Sequence, residues 1–227
     1  MSKEQILLAV IFYGVLMLCT LFAFIFGAIN YFKKGKPLFC QLVTCAMGCF
    51  TMAYIFELLQ IFITKNIETG FQVGNLGIIG GMAFLFTASF GELDDKVDDK
   101  KDKSLLKYRY IALLAPLLIL LIYVPSLFTS NTIETKIVTL IQFIFIGPAA
   151  YYSFKHLLLP KDKLGIVKPI KIYSLIELLI ELFITLELSA INHGSTLFMI
   201  IFVVISSILF ILIIPFLKKG VKKWTQQ

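Results

Sequence analysis

Charge is what this 227-residue sequence has least of: Asp, Glu, Lys and Arg make up 15% of it and hydrophobic residues 59%, whereas soluble domains carry roughly 25% charged residues. There is one arginine, Arg109, and only two histidines, His156 and His193. Each scarcity excludes a chemistry. A zinc centre needs three converging ligands, and two histidines expected on opposite membrane faces do not supply them. No Gly-x-Ser-x-Gly elbow is present for acyl transfer. Every aspartate falls outside the long apolar runs, so paired intramembrane aspartates are missing, and a lone arginine is too little for headgroup-level chemistry on phosphorylated lipids. No enzyme, metal site or cofactor is expected. The four cysteines (Cys19, Cys40, Cys45, Cys49) lie in the first quarter of the chain; without histidines or carboxylates at ligand spacing they read as reduced thiols packed between helices.

The apolar residues come in seven blocks, at about 6–31, 39–63, 71–91, 110–128, 134–154, 170–190 and 195–217, each near the ~20 residues that cross a hydrocarbon core as a helix. The expected fold is all-α: one seven-helix transmembrane domain over 1–227, embedded in the lipid bilayer as an integral membrane protein. The first block is too long for a signal-peptide core and lacks a small-residue cleavage site, so it reads as a permanent helix.

The net charge of +7 does not point to nucleic acid, because 18 of the 21 basic residues follow the first, third, fifth and seventh blocks; Lys3, Lys65 and Lys136 are the exceptions. Short Lys- and Arg-rich loops stay in the cytoplasm, which puts the N-terminus outside and the C-terminus inside. The strongly hydrophilic segment 92–109 becomes a charged cytoplasmic loop, read as a solvated linker or as a docking site for a cytoplasmic signalling partner. Residues 218–227 form a basic cytoplasmic tail suited to anionic headgroups.

A weak repeat runs at an offset of 120, matching Gly27 to Gly147, Tyr31 to Tyr151 and Glu57 to Glu177. It would make blocks one to three the counterpart of blocks five to seven, a 3+1+3 order compatible with a transporter. Gly77 and Gly81 in the third block form a Gly-x-x-x-Gly pair, read as helix packing within the bundle or as a homodimer face. Bends are expected at Pro116, Pro125 and Pro148.

Against this background four glutamates stand out inside apolar blocks: Glu57, Glu177, Glu181 and Glu187. Charge at mid-membrane is disfavoured by roughly 2.5–3.5 kcal/mol on insertion scales, so such residues face the bundle interior or water. At 1.5 Å per residue from residue 170, Glu177, Glu181 and Glu187 lie about 10, 16 and 26 Å up the sixth block. Glu177 and Glu181 share a face, and Glu187 is turned away from both. No lysine or arginine lies deep in any block to neutralise Glu181, so the uncharged acid is its expected form, burial penalising charge. Three roles stay open for these groups: a neutral hydrogen bond to a neighbouring helix, proton or cation coupling, and recognition of a polar or cationic ligand. Glu57 and Gln60 near the end of the second block, with Glu187, Asn192 and His193, would line an outward-facing vestibule for a small ligand.

The segments "YFKKGKPLF", "AYIFELLQ", "FQVGNLGIIGGMAFLFTASF" and "LLAPLLILL" resemble the seven-helix N-terminal sensor module of some bacterial histidine kinases and diguanylate cyclases, over about half the chain. The resemblance implies a receptor-like protein of a bacterial cytoplasmic membrane that binds a small ligand near Glu57. With no kinase or cyclase in the ten residues after the last block, it also implies a separate cytoplasmic partner. A transporter of a small solute or cation, with Glu177 and Glu181 as coupling carboxylates, is the alternative. Its helix order resembles that of the sugar-exporting SWEET proteins, although the Pro-Gln pair of that family is missing. A third reading is an accessory subunit whose glutamates pair with a partner's basic residues. The last block holds no lysine for a retinal Schiff base, so resemblance to microbial rhodopsins stops at helix number.

Overall fold

A computed structural model of the chain describes residues 3–65, 73–94, 105–129, 133–160, 168–191 and 196–224. Among the described residues every regular element is helical. The helices are α1 (Lys3–Tyr31), α2 (Leu38–Thr64), α3 (Val73–Thr87, continued by a π-helical turn over Ala88–Leu93), α4 (Leu106–Ala112), α5 (Leu114–Thr129), α6 (Ile133–Leu158), α7 (Lys168–Ile191) and α8 (Thr196–Trp224).

Local chemistry sets several boundaries. Gly35 takes a positive φ of 82° between α1 and α2, and Pro37 leads into α2. Lys65 closes α2 in the left-handed region, its N–H bonded to the Ile61 carbonyl at 3.0 Å. The fourth apolar block is two helices broken at Leu113, three residues before Pro116. Proline has no N–H for the ladder and crowds the preceding turn, and Leu113 instead bonds back to Tyr110 at 3.2 Å. α6 runs through Pro148 and α8 through Pro215 without ending. The fifth block extends past 154 to Leu158, so Lys155 and His156, expected in a loop, are buried inside α6.

Six helical segments are long and apolar enough to cross a membrane: Ile6–Tyr31, Leu38–Thr64, Val73–Gly91, Leu106–Val124, Lys136–Leu158 and Met199–Gly220. The outward faces are as apolar as the inward ones. On α1, Leu7, Ile11, Leu18, Phe22, Ile25 and Ile29 form an exposed stripe at the three-to-four residue spacing of one helix face. Helices apolar all round are core helices of large proteins or membrane spans, and here the exposed stripes meet lipid. The protein is an integral membrane protein.

Packing closes the helices into a ring in the order α1, α2, α3, α6, α7, α8 and back to α1, with α5 outside against α6 and α7 and α4 against α6. Contacts between helix ends show the up-and-down arrangement. The Gln41 amide reaches the Tyr31 carbonyl, Lys155 pairs with Asp94, Lys171 donates to the Leu157 and Leu159 carbonyls, and Lys218 lies over the Phe26 ring. The ends of α1, α3, α6 and α8 therefore meet the starts of α2 and α7 at one pole, the basic end.

α7 is the helix that fails on apolarity. It has 24 residues, but Lys168, Lys171, Glu177, Glu181 and Glu187 interrupt it. Its place in the ring makes this tolerable. It touches α5, α6 and α8, and among its described side chains only Leu175 is exposed. α5, on the outside, exposes Leu114, Leu117, Leu118, Leu121 and Phe128.

Candidate functional site

Four-residue spacing on α7 stacks Tyr173, Glu177, Glu181 and Thr185 on one face, and all four are 0–1% exposed. Glu177 is well provided with donors. The Ser89 hydroxyl lies 2.7 Å from both of its carboxylate oxygens, and the Ser153 hydroxyl donates to Oε2 at 2.6 Å. The Tyr173 hydroxyl sits beside the same carboxylate without a well-formed hydrogen bond. Three helices thus converge on one carboxylate: α7 brings the acid, α6 brings Ser153 and the π-turn of α3 brings Ser89.

Glu181, one turn further on, differs sharply. Neither of its oxygens has a hydrogen-bond partner among the described residues. Thr185 offers it nothing, because the threonine hydroxyl bonds back to the Glu181 carbonyl at 2.7 Å. Among described residues no basic group is paired with either carboxylate. An ionised carboxylate left without a partner in low dielectric is strongly disfavoured.

Polar groups continue the column in both directions. Away from the basic end, Gln142 and Asn75 approach across α6 and α3, Nε2 to Oδ1 at 3.5 Å, with the Gln142 carbonyl oxygen buried and unpartnered. Gln142 and Ser153 lie eleven residues apart, three turns of one α6 face. Tyr123 of α5 faces Thr185. Towards the basic end, Asp94 pairs with Lys155 and lies 3.6 Å from His156 Nε2. Burial alone would raise the Asp94 pKa, but the hydrogen bond from Lys155 and the charge of Lys155 and His156 beside it outweigh this and hold the carboxyl below the usual range. Nearby, the Tyr173 ring packs edge-on against Phe39 of α2, centroids 5.0 Å apart.

Of the residues of the expected vestibule, the structure describes the side chains of Glu57 and Gln60, and neither has a contact with this column among the described residues. Glu57 is half-buried on the seam between α2 and α3, its carboxylate lying where a side chain at position 74 would have to go. Gln60 is half-buried one turn on. The Glu187 side chain, Asn192 and His193 lie outside the described residues, as do residues 95–104 of the charged loop. Gly77 and Gly81 face α2 inside the bundle: a Cβ on Gly77 would meet the Cys49 carbonyl at 2.7 Å and the Ala53 Cβ at 2.8 Å, and one on Gly81 would strike the Phe50 ring. Among the described residues no three His, Cys, Asp or Glu side chains gather as metal ligands.

Ser89, Ser153, Asp94, Lys155 and His156 escaped the reading by sequence. Single serines in apolar runs usually bond their own backbone, as Thr20, Thr44 and Thr51 do here, so nothing singles out the two that do not. The Asp94–Lys155 pair spans 61 residues, and its members sit at the frayed ends of apolar blocks where charge is ordinary. No protein-family model matches the chain, and neither curated proteins nor solved structures provide a match.

Proposed function

We propose that the protein is a seven-span transporter of a small solute or cation, with Glu181 and Glu177 taking up and passing on the coupling charge. The observation that carries this is the full burial of two carboxylates one turn apart, one without a hydrogen-bond partner among the described residues, on a helix whose described side chains are almost all shielded from lipid. Intramembrane acids of this kind mark proton and ion pathways, and a column from Asn75 and Gln142 to Asp94 and Lys155 supplies polar groups on both sides of them.

Helix order supports the 3+1+3 reading. Pairing α1, α2 and α3 with α6, α7 and α8 exchanges the α1–α8 seam with the α3–α6 seam, and both seams exist. The 120-residue offset itself contributes little, since Glu57 lies nineteen residues after Leu38 whereas Glu177 lies nine after Lys168. The lysine bias supports a cytoplasmic basic end. Full burial speaks against an accessory subunit whose Glu177 and Glu181 pair with a partner's bases, because no partner reaches them. The receptor reading draws on Glu57 and its neighbours and would require a cytoplasmic partner bound through 92–109.

In proteoliposomes under an imposed membrane potential, the wild-type protein is expected to move protons, read by a trapped pH dye, and Glu181→Gln to slow them at least tenfold. Wild-type vesicles as proton-tight as protein-free ones would sink the proposal.

A further inference from the structure

Two contacts between α3 and α6 are made by the same short pieces of chain. Ser89 and Ser153 meet on the Glu177 carboxylate; five residues after the first and two after the second, Asp94 and Lys155 meet each other. The π-turn makes this possible. At about 100° per residue an α-helix would turn Asp94 about 140° away from Ser89. Closure from i to i+5 instead stacks the two, and the Asp94 N–H bonds the Ser89 carbonyl directly. Asp94 and Lys155 are each 4% exposed at the side chain, so their attraction is screened far less than that of a surface pair. π-turns inside α-helices occur frequently at functional sites.

We infer that Asp94 and Lys155 are positioning residues for Glu177: their ion pair clamps the π-turn of α3 to the end of α6 and thereby holds both serine hydroxyls on the carboxylate. Neither residue need touch the moving charge. Asp94 acts through Ser89, stacked on it by the π-turn, and Lys155 acts through the end of α6 that carries Ser153; separation of the pair frees both serines together. The role rests on the reading of Glu177 as a coupling carboxylate, but its test needs no transport.

The full-length protein in lipid nanodiscs is compared by infrared difference spectroscopy, the Glu177 carboxyl band being assigned by subtraction of Glu177→Gln. Ser89→Ala is expected to shift this band by removing a hydrogen bond. Asp94→Asn and Lys155→Met are expected to shift it in the same direction, whereas Lys155→Arg leaves it in place. An unshifted band in folded Asp94→Asn and Lys155→Met would overturn the clamp. Should those variants not fold, the exchanged pair Asp94→Lys with Lys155→Asp decides: a wild-type band supports the inference and a displaced one overturns it. Proton-tight wild-type vesicles with a shifted band would defeat the transport reading alone, and proton movement with an unshifted band would defeat the clamp alone.

Discussion

The two halves of the ring are built on opposite principles. Where α1, α2 and α8 meet, the interior is aromatic: Phe50 and Phe210 lie 5.5 Å apart, Tyr54 and Phe210 6.4 Å, and Tyr13 and Tyr54 6.2 Å. Where α3, α6 and α7 meet, it holds Glu177, Glu181, Gln142, Ser89 and Ser153 at 0% exposure. Lipid is as apolar as leucine, so close packing rather than water exclusion holds membrane helices together. The aromatic seam serves that end. The carboxylate seam does not, since an unpartnered buried acid weakens packing; under the proposed function its presence serves transport rather than stability. α3 belongs to both halves, with Gly74, Gly77 and Gly81 towards α2 and Ser89 and Asn75 towards α6 and α7.

Substitutions that move the two halves in opposite directions break or sharpen the comparison. The largest effect on stability is expected from Phe210→Ala, which removes a fully buried ring from the aromatic seam and should cost about 3–5 kcal/mol, measured by thermal unfolding in detergent. In the carboxylate seam, Glu181→Leu should raise stability by about 1–3 kcal/mol, the penalty of an unsatisfied buried polar group, while proton movement is lost. A fall as large as that of Phe210→Ala would instead make Glu181 a packing residue. The smallest effect is pH-dependent and belongs to Asp94. Its folded pKa is depressed, so its stabilising contribution is complete above the ordinary aspartate value of about 3.9 and fades as pH falls through the lower folded value. Acid titration of the unfolding temperature should show this loss, and Asp94→Asn should remove it.

Much of the architecture was legible residue by residue. Blocks of about 20 apolar residues located the spans, lysine placement grouped one set of helix ends, and four-residue spacing put Glu177 and Glu181 on one face. Inward faces were not legible in the same way. In a soluble helix, hydropathy alternates with burial; on α1 the exposed Phe22 and the buried Phe12 are the same residue type, so periodicity carries no such signal. Only polar residues betray the interior, and these named the inward face of α7 correctly while leaving its neighbours unknown.

The sequence by itself determined that the chain is helical and membrane-embedded, because lipid satisfies no backbone hydrogen bonds and long apolar runs must satisfy their own. It also determined that two carboxylates share a helix face. Tertiary structure alone decided that Glu177 receives hydroxyls from two other helices while Glu181 receives none among the described residues, and that Asp94 meets Lys155. These pairings join residues 24, 61 and 88 positions apart. They depend on which helices are neighbours in the ring and on one π-turn that re-aims the end of α3, and neither is written in local spacing.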